Sequence, residues 1–311
     1  METKNKLKKW FQNKIKTINV SIIDQLEDRF TFISRAEYLN YFVLNSTIVG
    51  ISDEKYCTDE IIVSLTTYEK RLYEVYLTIE SLMQQTLKPN KIILWLGDNL
   101  KNIEIPLVLQ NQQKRGLEIR FCKDLRSYKK LIPSLLEFPS ACIITADDDC
   151  LYNFDFVENF VNAHKKDPNL IYCTRMHRMK LLNNYTLEKY KKWPKCYNYF
   201  DVSPFNFPTG IGGILYPPHC FNNEIFNEQI FMNICKYGDD IWFKAMSLLN
   251  NYQSQKIYPY TNNGKYNLEN ERVQDTALNK INVDNGLNDI QLKAVFDKYN
   301  LYEKLSNEAT H

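Results

Sequence analysis

ACIITADDDC, Ala141 to Cys150, sets an apolar run directly against three consecutive carboxylates. The run follows Pro139 and reads as a buried strand, the fourth in the chain. Ligands of open α/β sheets bind at the carboxyl ends of strands, which is where Asp147, Asp148 and Asp149 stand. Adjacent acids repel one another and resist burial. A hard divalent cation, Mg2+ or Mn2+, relieves that repulsion: it takes carboxylate oxygens and completes its shell with phosphate and water. A solvated acidic turn or a helix N-cap would have the same composition. The place at the end of a buried strand favours the metal site.

Outward from this stretch, short apolar runs alternate with helical ones. Ile61 to Leu65, Lys91 to Leu96 and Leu117 to Cys122 read as three earlier strands, and Leu170 to Thr174 and Gly213 to Tyr216 as later ones. Between the first two, Leu72, Val75, Tyr76, Ile79, Leu82 and Met83 form a helical stripe, which Pro89 closes off. Phe156, Val157, Phe160 and Val161 mark a helix after the fourth strand. Strands buried on both faces and separated by helices predict an α/β fold with a mainly parallel sheet. Residues 239–250 read as a helix with Ile241 and Trp242 facing inward, and residues 288–305 as a closing helix. Residues 183–208 are rich in Tyr, Asn, Lys and Pro and form a candidate acceptor-side loop region.

The 311 residues divide into an N-terminal extension (1–55), a main domain (56–260) and a C-terminal loop and helix (261–311) that packs on it. Lys4, Lys6, Lys8, Lys9, Lys14 and Lys16 crowd the start, with Leu7, Trp10, Phe11, Ile15 and Ile18 on one helical face. Such a basic amphipathic helix either lies on an anionic membrane surface or packs on the main domain.

A net charge of +2 argues against broad capture of nucleic acid. No apolar run approaches the ~20 residues of a membrane span, and no signal-peptide core follows the basic start. The chain is expected in the cytoplasm, with peripheral contact on the inner face of the plasma membrane through residues 4–20. The eight cysteines show no C-x-x-C spacing and read as buried, reduced thiols. His164 and His177 give no ligand spacing, His219 reads as a core or loop residue, and His311 is terminal.

A second acidic pair lies in YGDDIWFKAM, where Gly238 makes a turn and Asp239 and Asp240 open a helix. An acid there complements the helix dipole, but two exceed what a cap needs, and one could serve as a general base. Between the clusters, FPTGIGGILYPP (207–218) carries Gly210, Gly212 and Gly213, which suit close approach of backbone to a ligand or a tight turn into a strand. No Gly-Lys-Ser/Thr follows, so this is not a phosphate loop.

With VSLTTYEKR (63–71), SLMQQTLKPNKIILWL (81–96), DLRSYKKLIPSL (124–135), ITADDDCLY (144–152), FPTGIGGILYPP and GDDIWFKAM in this order, the chain resembles a glycosyltransferase of the GT-A fold. The resemblance is to the family-2-like group of bacterial polysaccharide (capsule and lipopolysaccharide) enzymes, over roughly two thirds of the chain. It implies a Rossmann-like sheet flanked by helices. It implies that Ser64, Thr66, Thr67 and Tyr68 hold the donor nucleoside, and that Arg71 reaches the phosphates or pairs with Glu69 or Glu74. Asp124, Tyr128 and Lys130 would touch base, ribose or diphosphate; Lys129 and Lys130 read equally as an exposed helix start.

Asp147 and Asp149 match the ends of a D-x-D motif, with Asp149 the first metal ligand, Asp147 on metal or ribose, and Asp148 beside them on the donor. Asp240 matches the base of inverting members; because this pair is Asp-Asp, Asp239 stays a candidate. Gly212, Gly213 and Trp242 fall on the acceptor or sugar side.

The expected activity is metal-dependent and inverting: transfer of a sugar from a nucleotide-sugar donor, with UDP as the default, to a hydroxyl of a glycan or lipid-linked glycan. The rival readings are a nucleotidyltransferase, which would want a basic Gly-rich loop after the first strand, and a silent carbohydrate-binding protein of the same fold.

Overall fold

The structure is a computed structural model that describes residues 2–183, 186–196, 199–257, 268–270 and 286–308, with 2–22, 183 and 308 as backbone alone. Seven strands form the central sheet: β1 (Ile61–Thr66), β2 (Lys91–Gly97), β3 (Leu117–Cys122), β4 (Cys142–Thr145), β5 (Leu170–Cys173), β6 (Ile214–Tyr216) and β7 (Gln253–Lys256). Their order is β7-β5-β6-β4-β1-β2-β3. β4, β1, β2 and β3 run parallel, as do β5 and β7; β6 lies antiparallel between β4 and β5. The sheet is mainly parallel, as the buried runs predict.

Successive side chains of a strand point to opposite faces, and here both faces are dry. Ile61, Val63 and Leu65 of β1 enter one core with Ile92, Leu94 and Ile144. Helices α2 (Val75–Met83), α3 (Leu107–Gln113) and α5 (Phe156–Lys166) cover that face, α2 through Ile79 and Leu82 and α5 through Phe156 and Phe160. Ile62, Ile93 and Ile143 enter the other core. It is covered by α4 (Ile132–Glu137), α6 (Glu228–Ile234), α7 (Asp239–Leu249), α8 (Leu287–Tyr299) and α9 (Leu301–Glu308). The result is a three-layer α/β arrangement.

The expected closing helix is two helices. Asn300, at φ 52°, takes the left-handed conformation and breaks the run between α8 and α9; a short polar side chain tolerates that geometry better than most. The N-terminal helix α1 (Glu2–Asn45) is far longer than the stripe at its start suggests. Phe32, Ala36 and Leu39 recur at helical spacing and pack with Leu77 of α2 and Leu151. Ile23, Leu26 and Phe30, further out, are exposed. The side chains of the basic stripe at 4–20 lie outside the described residues, as does most of the polar stretch expected at 261–286. No described helix is long and apolar enough to cross a membrane.

Candidate carboxylate site at the end of β4

β4 ends at Thr145, and the chain turns through Asp147, Asp148 and Asp149 before a short ladder at Cys150–Leu151 that pairs with Leu268–Glu269. Tyr152, buried beneath the turn, accepts the Asp147 N–H on its hydroxyl at 2.8 Å. Thr78 of α2 donates to the Asp148 carbonyl at 3.0 Å. Both contacts fix the turn from below.

The three acids face different surroundings. Asp148 points inward: Arg71 Nη1 donates to Oδ1 at 2.6 Å and Thr67 Oγ1 to Oδ2 at 2.6 Å. Burial pushes its carboxyl above the usual range even so, with Arg71 pulling the other way. Asp149 is part-buried and shares Arg71 at 3.2 Å. Burial, then Asp147 and Asp148, raise its carboxyl to about 6. Asp147 is the more open of the outer two, its side chain 22% exposed, and lies 3.5 Å from Lys130 Nζ.

Across the site, Lys130 closes a short 3-10 turn (Arg126–Lys130) and is buried. Its ammonium stands 3.1 Å from Asp239 Oδ2. Burial works against the charge, but Asp239, Asp147 and Asp240 outweigh it and hold the lysine above its ordinary range. Asp239 and Asp240 occupy the first turn of α7, where the helix dipole favours anions. Asp240 accepts the Gly210 N–H on Oδ2 at 2.9 Å, whereas its Oδ1 is shielded and has no hydrogen-bond partner. Burial and Asp239 raise its carboxyl to about 7, against the pull of Lys130 and the Gly210 N–H.

Gly210 and Gly213 are needed for this approach. A Cβ on Gly210 would meet Lys130 Nζ at 2.6 Å and Asp240 Oδ1 at 3.1 Å. Gly213 has φ +100°, and a Cβ there would sit 2.6 Å from the Phe156 ring. Gly213 N–H closes the turn on the Gly210 carbonyl at 3.0 Å. Gly212 also has positive φ, 90°.

The remaining expected residues divide between the site and its supports. Ser64 is fully buried, its hydroxyl bonded to the Lys130 carbonyl at 2.7 Å and to Ser134 at 2.8 Å. It positions Lys130 and is not open to a nucleoside. Thr66 Oγ1 donates to the Trp95 carbonyl at 2.8 Å, and Thr67 is spent on Asp148. Tyr68 remains at the surface, with the Arg71 guanidinium 5.5 Å from its ring centroid. Arg71 pairs with Asp148 and Asp149, a choice its spacing from Glu69 and Glu74 did not suggest.

Asp124 is paired with Lys129, which holds its carboxyl below the usual range in spite of burial, and takes the Arg126 N–H at 3.2 Å. Lys129 and Lys130 are both buried, so the exposed helix start is corrected. Tyr128 is also buried, donating to the Cys235 carbonyl at 2.6 Å. Trp242 is corrected as well: it is fully buried between Phe231 and Tyr299, its indole N–H on the Ile225 carbonyl at 3.1 Å. Facing the core two residues beyond Asp240, it cannot touch a sugar.

Two features escaped the sequence. Lys244, one turn after Asp240, is buried with its Nζ lacking a partner, and burial lowers it to about 7. At the other end of the sheet, Asp59, Cys142 and His164 bring ligand atoms within 4.8 Å of one another. Residues so far apart in the chain carry no spacing signal.

The acid turn fits a hard divalent cation by its donors: two part-open carboxylates, Asp147 and Asp149, the second raised to about 6 by burial and then by its like-charged neighbours.

No family model matches the chain, and no curated protein matches it. Among solved structures it is similar to a CMP:2-keto-3-deoxy-manno-octonic acid synthetase complexed with CTP, at TM-score 0.37 and 9% identity over 64% of this chain and 89% of that one. It is also similar to the mannosyltransferase PcManGT from Pyrobaculum calidifontis in complex with GDP-Man and Mn2+, at TM-score 0.40 and 12% identity over 74% of this chain and 62% of that one. Overlaps at these scores say nothing of this chain's ligand or reaction.

Proposed function

We propose that the chain is a metal-dependent glycosyltransferase moving a sugar from a nucleotide-sugar donor to a hydroxyl of a glycan or lipid-linked acceptor. One observation carries the reading: at the carboxyl end of β4, Asp147, with Asp149 beside it in the acid turn, faces a second acid pair, Asp239 and Asp240, across the buried ammonium of Lys130.

Asp149 and Asp147 would hold Mn2+ or Mg2+. The bound cation would neutralise the diphosphate as the sugar–oxygen bond breaks. Asp147 and Lys130 set the charge beside it. Asp240 is the better base of its pair. Asp239 is ion-paired with Lys130 at 3.1 Å, whereas burial and Asp239 raise the Asp240 carboxyl to about 7. A base in that range accepts the proton of an acceptor hydroxyl near neutral pH. Attack by that hydroxyl opposite the leaving group inverts the anomeric centre. Arg71 and Thr67 act through Asp148, fixing the acid turn.

The test is a donor screen, reading sugar-nucleotide hydrolysis with added Mn2+ or Mg2+, beside thermal shifts with UDP, GDP and CMP. Metal-linked stabilisation by one nucleotide is expected. Asp149→Ala should weaken that binding, and Asp240→Asn should abolish transfer while donor binding survives. Absence of any metal-linked nucleotide effect would overturn the reading; pyrophosphate release from a nucleoside triphosphate would replace it with nucleotidyl transfer. Removal of residues 1–20 should lower membrane recovery, and unchanged recovery would sink the peripheral contact.

A further inference from the structure

We infer that Asp59, Cys142 and His164 form a zinc site at the end of the sheet opposite the acid turn. Cys142 opens β4, whereas Asp147 follows its far end, so the strand separates the two clusters. Three segments converge there: the loop before β1, the first residue of β4 and the last turn of α5.

The geometry is that of a ligand shell. His164 Nε2 lies 3.2 Å from Cys142 Sγ and 3.1 Å from Asp59 Oδ2, and the thiol and carboxylate are 3.8 Å apart. Zinc bonds of about 2.0–2.3 Å in a tetrahedron put neighbouring donors about 3.3–3.6 Å apart, so small shifts admit the ion. The mixed sulfur, nitrogen and oxygen donors suit zinc and not the hard cation of the acid turn. A thiolate and a carboxylate together balance a divalent charge, which a buried site requires.

Cys142 and His164 are buried, while Asp59 keeps 22% of its side chain exposed and leaves one side open to a fourth ligand. Solvent can take that position, or Cys57, two residues from Asp59 and part-buried. A nucleophilic triad is a poorer account. There, base and orienting acid use opposite imidazole nitrogens, whereas here thiol and carboxylate address the same one. On binding, the Cys142 S–H proton leaves to solvent as the sulfur–zinc bond forms, with no change of oxidation state.

The test uses the full chain, stripped with chelator under reductant and then loaded with Zn2+ or Co2+. One equivalent of zinc should survive dialysis, and cobalt should give a thiolate charge-transfer band. Cys142→Ser should lose the band, and Asp59→Asn should weaken zinc binding about tenfold or more. Asp149→Asn, at the other end of the sheet, should leave both readouts unchanged. If Cys142→Ser does not fold, Asp59→Asn on its part-exposed loop decides. Wild-type chain that retains no zinc, a cobalt spectrum without the band, a band that persists in folded Cys142→Ser, or undiminished zinc binding by Asp59→Asn would each overturn the site.

Discussion

Lys130 Nζ and Asp239 Oδ2 stand 3.1 Å apart, and the same ammonium reaches Asp147 at 3.5 Å. One side chain therefore couples the turn after β4 to the first turn of α7. Lys130→Met should leave buried carboxylates uncompensated and cost about 3–5 kcal/mol. Urea melts would read the loss. Adding Asp239→Asn should recover part of it; a double variant as unstable as the sum of the singles would show that the two residues do not interact.

Asp240 sets a pH dependence whose sign follows from its raised carboxyl, moved from 3.8 to about 7 mainly by burial. In that window the folded chain holds a proton that the unfolded chain has released. The group's contribution to stability is complete below the unfolded value and is lost as pH rises through the folded one. The stability of wild type relative to Asp240→Asn should thus fall across this range, by on the order of a few kcal/mol. Parallel denaturant titrations with no pH trend in the difference would contradict the assignment. Activity should rise over the same interval as the base loses its proton.

Arg71 is the counterion of the acid turn, 2.6 Å from Asp148 and 3.2 Å from Asp149. Arg71→Met should destabilise the fold by about 3–5 kcal/mol, since it strands Asp148 in a buried position. Thr67→Val removes one hydrogen bond to the same carboxylate and should cost about 1–3 kcal/mol. Equal melts for both variants and wild type would reduce this pair to a surface detail.

Gly213→Ala places a Cβ 2.6 Å from Phe156 at a φ of +100°. The expected cost is about 1–3 kcal/mol of backbone strain, with further loss from the contact. Phe156→Leu in the same chain should relieve the contact and leave the strain. Because this turn aims the Gly210 N–H at Asp240, turnover should drop along with thermal stability. An alanine variant with wild-type melting would mean the turn repacks freely.

The strands and their order of appearance were legible because β1, β2 and β4 are apolar on both faces, so their runs need no partner to be recognised. The break at Asn300 was hidden, since the apolar spacing continues across it. At the site, the acids showed in the sequence, but their division of labour did not. Asp148 and Asp149 are neighbours with the same side chain. Only the direction in which the turn rotates each one sends the first to Thr67 and Arg71 and leaves the second part-exposed. Trp242 carried two readings: the helical stripe that turned it inward holds, whereas its acceptor-side place beside Asp240 fails because helical rotation turns the indole into the core. The Asp59, Cys142 and His164 cluster was illegible because its members meet only after the sheet has formed.

Asp148 is held on both oxygens, and its backbone carbonyl is held by Thr78. The middle of the acid turn is thus settled during folding, before any ligand arrives. Its flanking carboxylates inherit a fixed separation and have little chain freedom left to surrender. Capture of a cation there would consequently be limited by stripping its hydration shell, and not by ordering of a loop.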